Sequence, residues 1–334
     1  MIDTDSSTNR SGSAEDSCDL ALIARLFRAL LLIRRTEERI AAVYPTDCIK
    51  SPVHLSIGQE AVAVGVCDAL SRTDVVAMSY RGHAAYLAKG GDLRKMIAEL
   101  YGKVTGCARG KGGSMHLVAP EAGVLGASAV VATQIPIATG WALASKRRGS
   151  GQVVACFFGD GATEEGCMAE SLNFAALHHL PILFVCENNG YAIHEPLAKR
   201  WATTRLCERV ATYGIATHRI EDQDVFAIRE AAQAAVASIR EGAGPTFIEC
   251  LTYRWREHVG PNEDYDSGYR PADDLHPWRA SDQIDRLARL LPSHQVHRIS
   301  EEVAAQIDDA FKFAAASDPP EADELWRHVY ASRV

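Results

Sequence analysis

The chain of 334 residues is 47% hydrophobic and 23% charged, and its formal net charge is −8. These values are ordinary for a folded globular protein, and the length alone allows about two domains. The negative charge argues against a protein that binds nucleic acid by neutralising its phosphates, because that requires clustered Lys and Arg. Nine Cys residues without a CxxC pair or zinc-like spacing favour reduced thiols and a cytoplasmic location.

The first 16 residues are rich in Ser and Asp. They lack the basic and then apolar layout of a secretory signal, and their acidity argues against a transit peptide. We expect a disordered tail over 1–16. No stretch of the chain reaches the roughly 18 uninterrupted apolar residues that a membrane-spanning helix needs, so no membrane association is expected.

Helical and β-like patterns follow this tail. Apolar residues recur at helical spacing from Leu20 to Tyr44, which predicts a long N-terminal helix, and a second helix is predicted from Gln59 to Leu70. The middle of the chain then alternates apolar β-like runs with helical segments. The predicted strands are Val153–Phe158, Ile182–Cys186 and Phe247–Leu251, and the predicted helices are Thr163–His179 and Val225–Arg240. This alternation predicts an α/β fold, a parallel sheet with helices on both faces.

Beyond Pro271 the pattern is helical only, with helices predicted over Ser281–Leu291 and Glu301–Ala316. We therefore expect three regions: the tail over 1–16, a main α/β domain over 17–272 that includes the N-terminal helix, and a helical C-terminal extension over 273–334.

The most informative segment is an apolar strand that runs directly into Gly159-Asp160-Gly161-Ala162-Thr163. In an open parallel sheet, ligands bind outside the carboxyl ends of the strands, where backbone N–H groups and a helix N-terminus favour phosphate. Gly161 would let the backbone approach an oxygen closely. Asp160 would repel phosphates unless a cation lay between them, and Mg²⁺ is the simplest choice because it binds carboxylates, carbonyls and phosphates together.

A second half of this site is predicted at the end of the next apolar strand. Asn189 lies 29 residues after Asp160, an interval that a strand, a crossover helix and a strand fill, so Asn189 should return to the same sheet edge. This pair of motifs resembles the thiamine-diphosphate motif. The surrounding sequence is similar to the alpha subunits of the pyruvate, branched-chain and acetoin-cleaving 2-oxo acid dehydrogenase family. The resemblance implies a thiamine-diphosphate-binding fold over 17–272.

The resemblance also implies the ligands of the cofactor. The Asp160 and Asn189 side chains and the Tyr191 backbone carbonyl would ligate Mg²⁺, while Gly161 and Ala162 would contact the diphosphate. Ser79-Tyr80-Arg81-Gly82-His83 is similar to the family's diphosphate-binding Tyr-Arg pair, and a guanidinium can grip phosphate with two parallel hydrogen bonds. Further cofactor contacts are expected in the small-residue stretch 123–140, from Val131 and from Ala129, which stands where the family has Gly.

Three histidines are candidate catalytic residues by the same resemblance. His54, before Leu55-Ser56-Ile57-Gly58-Gln59, would help to hold the 2-oxo acid, and His83 follows the Tyr-Arg pair. His258, after the strand that ends near Thr252, would lie beside the cofactor, where a neutral imidazole can move a proton at pH 7. The loop 259–266 lacks the Ser-rich pattern that pyruvate and branched-chain members carry, so it leaves the substrate and the acyl acceptor open.

Other phosphate motifs fit poorly. The Gly-rich loop 106–113 superficially suggests a P-loop, but Lys111 is followed by Gly rather than Ser or Thr. The Gly159-Asp-Gly161 turn lacks the third Gly of a dinucleotide fingerprint. A nicotinamide-dependent dehydrogenase is therefore disfavoured.

The resemblance implies a partner, because thiamine chemistry needs a carboxylate at the aminopyrimidine ring and the family carries that Glu on a beta subunit. Glu60 is a candidate substitute, but its place on the second helix favours packing. We expect an alpha2beta2 enzyme that decarboxylates a 2-oxo acid. By base rate the acyl unit passes to a lipoyl domain of an acyltransferase. Acyloin-type transfer to an aldehyde or ketone, and acetoin cleavage, are the alternatives, and a non-catalytic scaffold subunit is a remote one.

Overall fold

The computed structural model of the protein describes residues 12–327, 329 and 330, with side chains from residue 19 onward. The tail predicted over 1–16 lies mostly outside the described residues, and residues 12–16 belong to the first helix. The helices are α1 (Gly12–Val43), α2 (Glu60–Ala69), α3 (His83–Ala88), α4 (Leu93–Leu100), α5 (Gln134–Arg148), α6 (Gly166–Leu177), α7 (Leu197–Arg200), α8 (Leu206–Ala211), α9 (Val225–Arg240), α10 (His276–Ala280), α11 (Gln283–Leu290) and α12 (Ser293–Ala316).

Six parallel strands form one sheet, and two short antiparallel strands form a hairpin beside it. The strands are β1 (Val75–Ser79), β2 (Val124–Ser128), β3 (Val154–Gly159), β4 (Ile182–Asn188), β5 (Tyr191–Ala192), β6 (Glu195–Pro196), β7 (Ala216–Ile220) and β8 (Thr246–Leu251). The order in the sheet is β2-β1-β3-β4-β8-β7. In the sheet, β2 lies on one side of β1, whereas β3 and then β4 lie on its other side. A topological switch point therefore lies between β1 and β3, the place where open α/β sheets bind ligands.

Helices cover both faces of this sheet, as the sequence predicts. Along β3, Val154, Cys156 and Phe158 point to one apolar core and Ala155 and Phe157 to the other, and all five are buried. This alternation follows from the period of two in an extended strand. Helices α5, α6 and α8 pack on the first face, and α2 and α9 pack on the second. The predicted fold class is confirmed.

The C-terminal helices join the second core and form a layer on α1 and α4. Val303, Ile307 and Phe311 of α12 are buried in the same apolar cluster as Leu30 of α1 and Met96 of α4. Helix α12 begins eight residues before its predicted start at Glu301. Its first two turns are mostly polar and exposed, so no apolar period marks them in the sequence.

The Gly-rich loop 106–113 is organised by a buried carboxylate. Glu99, in α4, is fully buried and accepts hydrogen bonds from the backbone N–H groups of Ala108 (2.7 Å), Gly110 (3.0 Å), Gly112 (2.7 Å) and Gly113 (3.1 Å). The N–H groups that a P-loop would offer to phosphate are therefore already bound. The sequence-based exclusion of a P-loop has this structural basis.

Glu99→Gln should lower the free energy of unfolding by about 3 kcal/mol, because the amide NH₂ would face N–H donors and leave some of them unsatisfied. Chemical denaturation of the purified chain, or of its complex, measures the change. Glu38→Gln, at an exposed position of α1, is the matched control and should change stability by less than about 0.5 kcal/mol. Equal losses in the two variants would show that the Glu99 carboxylate does not support the loop.

Candidate active site

A cleft of about 260 Å³ lies at the carboxyl ends of β1, β3 and β4, at the switch point of the sheet. It brings together nine of the residues predicted to form the site: Tyr80, Arg81, Val131, Asp160, Gly161, Ala162, Asn189, Tyr191 and His258. These residues come from five separate segments of the chain. Four of the segments follow the parallel strands β1, β2, β3 and β4, whose carboxyl ends share one edge of the sheet, and the fifth follows β8.

Asp160 lies at the first position after β3 and is 1% exposed. Its backbone carbonyl accepts a hydrogen bond from the Thr163 hydroxyl (2.7 Å), which closes the turn. One carboxylate oxygen, Oδ2, pairs with the Arg200 guanidinium. The other, Oδ1, is buried and has no hydrogen-bond partner among the described residues. Burial raises the pKa of Asp160, although Arg200 and the Asn189 backbone N–H oppose that rise.

Asn189 follows the neighbouring strand, where Gly159 of β3 pairs with Glu187 of β4. Its side-chain nitrogen donates to Gln59 Oε1 (3.0 Å), and its side-chain oxygen accepts from the Tyr191 backbone N–H (3.2 Å). The amide is thereby fixed with its oxygen toward the turn that leads into β5. Asp160 and Asn189 thus meet at one sheet edge, as predicted from their spacing.

The residues present fit a divalent cation with a phosphate ligand. Asp160 Oδ1 is an unpartnered buried oxygen, and hard cations such as Mg²⁺ are held by one or two protein carboxylates or carbonyls. Gly161 is required beside it, since a Cβ there would lie 2.9 Å from the Ala192 Cβ. Within residues 19–327, no group of three His, Cys, Asp or Glu side chains is arranged to hold a metal ion.

Arg81 connects the cleft to two loops. Its Nη1 donates to the Leu55 carbonyl (2.7 Å) and its Nη2 donates to the His258 carbonyl (3.0 Å), and the side chain is buried. Burial lowers the pKa of Arg81 to about 10, so the guanidinium stays charged at pH 7. A buried cation on the cleft wall suits an anionic ligand such as a diphosphate.

Three rings gather at one end of the cleft. The His54 ring centroid lies 4.4 Å from that of Tyr80 and 5.2 Å from that of His258. Burial and the adjacent Arg81 lower the pKa of both His54 and His258 to about 3, so both imidazoles are neutral at pH 7. His54 Nδ1 is buried without a hydrogen-bond partner among the described residues. His258 thus lines the cleft, His54 does not line it but packs against Tyr80 and His258, and both are neutral imidazoles that can donate or accept a hydrogen bond.

Three other candidate residues lie away from the cleft wall. His83 begins α3 and is fully buried, with Nδ1 3.0 Å from Glu37 Oε2 and Nε2 2.8 Å from Ser114 Oγ. Both of its ring nitrogens are thus engaged within the core. Ala129 follows β2 and does not line the cleft. Glu60 is buried in an ion pair with Arg34, which supports the packing role favoured by the sequence.

Polar residues that sequence reasoning missed line the cleft or contact its lining. Glu187, the last but one residue of β4, lines the cleft, and burial raises its pKa to about 7 although Arg81 opposes that rise. Gln134 lines it from the start of α5, with its Oε1 buried and unpartnered among the described residues. Arg200, at the end of α7, contacts both Asp160 and Glu164. Only Glu187 carried a signal, because a carboxylate at the end of an apolar strand is unusual.

The loop after His258 is held by a buried ion network. Asp264 accepts from Arg270 Nε (2.8 Å) and also contacts Arg254 and the Tyr269 hydroxyl. Although burial raises the pKa of Asp264, hydrogen bonds from Tyr269 and Arg270 lower it overall. Arg254 also donates to the Ile193 carbonyl (2.9 Å) in the β5–β6 turn, which lines the cleft. The loop flagged as atypical is therefore tied to the cleft wall.

The fold and the cleft define a class: an α/β protein whose strand-end cleft is lined by a buried carboxylate, a buried arginine and a neutral histidine. The profile of the dehydrogenase E1 component family matches residues 28–323, and the chain belongs to this family. The predicted resemblance is confirmed. The cofactor of the family is thiamine diphosphate, with Mg²⁺ as its usual partner ion.

Curated relatives span most of the chain. The alpha subunit of acetoin:2,6-dichlorophenolindophenol oxidoreductase from Bacillus subtilis is 36% identical, over 92% of this chain and 93% of the relative. The pyruvate dehydrogenase E1 component subunit alpha from Porphyra purpurea is 37% identical, over 92% of both chains. Among solved structures, one described as a thiamin diphosphate-dependent enzyme from Mycobacterium smegmatis has a TM-score of 0.41 and 22% identity, covering 61% of this chain and 34% of that chain.

In the part of the chain that the structure describes, no helix is both long enough and apolar enough to cross a membrane. The cytoplasmic location inferred from composition stays a prediction.

Proposed function

We propose that the chain is the diphosphate-binding alpha subunit of a two-chain, thiamine-diphosphate-dependent enzyme that decarboxylates a 2-oxo acid such as pyruvate. The observation that carries the proposal is the meeting of Asp160 and Asn189 at the ends of adjacent strands, with a buried Asp160 oxygen unpartnered. Family membership and alpha subunits of pyruvate- and acetoin-converting enzymes among the relatives support the same activity.

The residues of the cleft take distinct roles in this proposal. Asp160, the Asn189 side chain and the Tyr191 carbonyl hold Mg²⁺, and Tyr80, Arg81, Gly161 and Ala162 hold the diphosphate. Bound thiamine diphosphate supplies the electron sink for loss of carbon dioxide. His54 and His258, neutral and adjacent, orient the 2-oxo acid and move a proton at the reacting end. Val131 borders the same cleft, whereas His83 and Ala129 act at most through their neighbours.

A beta subunit completes the active site in this proposal. The relatives named above are alpha subunits, and their names imply a partner chain. The carboxylate that activates the aminopyrimidine ring belongs to the beta subunit, because Glu60, the candidate on the second helix, is bound to Arg34. The assembly is an alpha2beta2 heterotetramer.

The candidate reactions of the enzyme differ in the molecule that accepts the acyl unit. Transfer to a lipoyl domain of an acyltransferase is the proposed route. Acetoin cleavage is a second candidate because an acetoin-converting alpha subunit is among the relatives at 36% identity. Three assays of the complex identify the acceptor by the product formed. Pyruvate is supplied with a lipoyl domain in the first and with an aldehyde in the second. Acetoin is supplied with a dye oxidant in the third.

Calorimetry with thiamine diphosphate and Mg²⁺ on the alpha–beta complex tests the proposal. We expect saturable binding that requires Mg²⁺, and negligible turnover by the purified chain alone. Absence of binding to the complex would favour a scaffold subunit. Robust decarboxylation by the chain alone would refute the division of the site between two subunits.

A further inference from the structure

We propose that Arg200 competes with the divalent cation for Asp160, and that Glu164 receives the Arg200 guanidinium when the cation binds. The inference rests on the metal role proposed for Asp160. It assigns to Arg200 a positioning function in cofactor loading, and it makes Glu164 the residue that sets how easily loading occurs.

The Arg200 side chain bridges the two carboxylates. It is 7% exposed and lies at the end of α7, just outside the turn that carries Asp160. Nη2 contacts Asp160 Oδ2, and Nη1 contacts Glu164 Oε1. Nε donates to the Glu195 carbonyl (3.0 Å), which anchors the stem of the side chain independently of either carboxylate.

Electrostatics opposes simultaneous occupation of Asp160 by both cations. A buried carboxylate is costly without a nearby positive charge, and Arg200 supplies that charge in the chain without cofactor. A divalent ion on the free Oδ1 would lie within a few ångströms of the guanidinium, and like charges at such distances repel strongly in a buried site. Binding of the ion and the Arg200–Asp160 contact are therefore negatively coupled.

Glu164 provides the alternative partner. Its side chain is 33% exposed, whereas that of Asp160 is 1% exposed, so Glu164 is the more solvated of the two carboxylates. Since Arg200 already touches Glu164 with its other terminal nitrogen, a small rotation of the guanidinium releases Asp160 without exposing an unpaired charge. The Arg200–Glu164 contact thus reduces the free-energy cost of metal binding, while Arg200 neutralises Asp160 when no metal is bound.

This arrangement predicts effects of opposite sign in two single variants. Arg200→Gln removes the competitor and should tighten divalent-cation binding about tenfold, a coupling of ordinary size. Glu164→Gln removes the alternative partner, leaves Arg200 on Asp160 and should weaken cation binding about fivefold. Because Glu164 acts only through Arg200, the double variant should bind like Arg200→Gln alone.

The measurement is a titration of Mn²⁺ into the alpha–beta complex at saturating thiamine diphosphate, with free Mn²⁺ followed by electron paramagnetic resonance. Lys199→Gln, at the exposed neighbouring position of α7, is the matched control and should leave Mn²⁺ affinity unchanged. Melting of the complex without metal and cofactor gives a second readout. Arg200→Gln should lower that melting temperature, because it leaves Asp160 without its cation, and Lys199→Gln should not.

The outcomes separate this inference from the proposed function. If the wild-type complex shows no cofactor-dependent Mn²⁺ site, the proposed function fails. If the wild-type complex binds Mn²⁺ and the Arg200→Gln complex binds it with equal affinity, Arg200 is not a competitor. If the Arg200→Gln complex binds Mn²⁺ more weakly, Arg200 is not a competitor and instead acts as a ligand of the cofactor. An effect of Glu164→Gln that persists when Arg200 is also replaced would overturn the role given to Glu164.

Discussion

Asp160→Ala is expected to abolish magnesium-dependent retention of thiamine diphosphate while leaving the alpha–beta complex folded. Asp160 provides the only carboxylate among the three proposed metal ligands, and its Oδ1 is buried and has no hydrogen-bond partner among the described residues. Replacement of residues that merely support metal ligands already weakens metal binding 10- to 100-fold in other proteins, so loss of this ligand should cost at least about 100-fold in cofactor affinity at fixed Mg²⁺.

The fold should tolerate this change because Arg200 retains Glu164 as a partner. The complex is therefore expected to keep its assembly and most of its thermal stability. Calorimetry gives the affinity, and gel filtration followed by release and assay of bound cofactor gives the retained fraction. Glu170→Gln, at an exposed position of α6, should retain cofactor as the wild type does. Unchanged retention in Asp160→Ala would disprove the metal assignment.

The convergence of Asp160 and Asn189 could be predicted from the sequence because two simple rules lead to it. Apolar runs bounded by Gly or Asn mark buried strands, and consecutive parallel strands place their carboxyl ends at one edge. The predicted strands before Asp160 and Asn189 therefore fixed where both side chains meet. The order of the strands in the sheet was harder to predict from the sequence. β2 contains Gly126 and Ala127, and β7 is an edge strand with mostly exposed residues, so neither shows a strong apolar pattern. β1 has only four consecutive apolar residues, Val75 to Met78.

The positions of the Arg200 and His83 side chains could not be predicted from the local sequence pattern. Arg200 reaches the site because the β5–β6 hairpin turns the chain back over Gly161, a tertiary feature with no sequence period. His83 is two residues from Arg81, yet the start of α3 turns its side chain into the core toward Glu37 and Ser114. Side chains near in sequence diverge where a strand becomes a helix. Resemblance to a family locates such residues but does not say which way they point.

His258→Ala should lower kcat of the alpha–beta complex by about 10²- to 10⁴-fold, the range for loss of a proton-transfer group. The cofactor should still bind, since Asp160, Asn189 and Arg81 are untouched, so the loss should fall on kcat more than on cofactor affinity. Steady-state kinetics at saturating cofactor measures the effect. His297→Gln, on the exposed face of α12, should keep full activity. An equal loss of cofactor binding and of kcat would instead indicate that His258 only supports the cleft wall.

The depressed pKa of His258 predicts a second effect of replacing this residue, here on the pH dependence of stability. In the folded chain the imidazole stays neutral down to a pKa of about 3, whereas in the unfolded chain it binds a proton below about 6.5. The unfolded state thus holds more protons between these values, and stability falls as the pH is lowered through that window. His258→Gln removes one such group, so its unfolding free energy should decline less steeply than that of the wild type from pH 6.5 downward. Denaturant titrations of the cofactor-free complex across this range measure the slopes. Identical slopes would mean that the pKa of His258 is the same in the folded and unfolded chain, which would contradict its burial beside Arg81 as the cause of a low pKa.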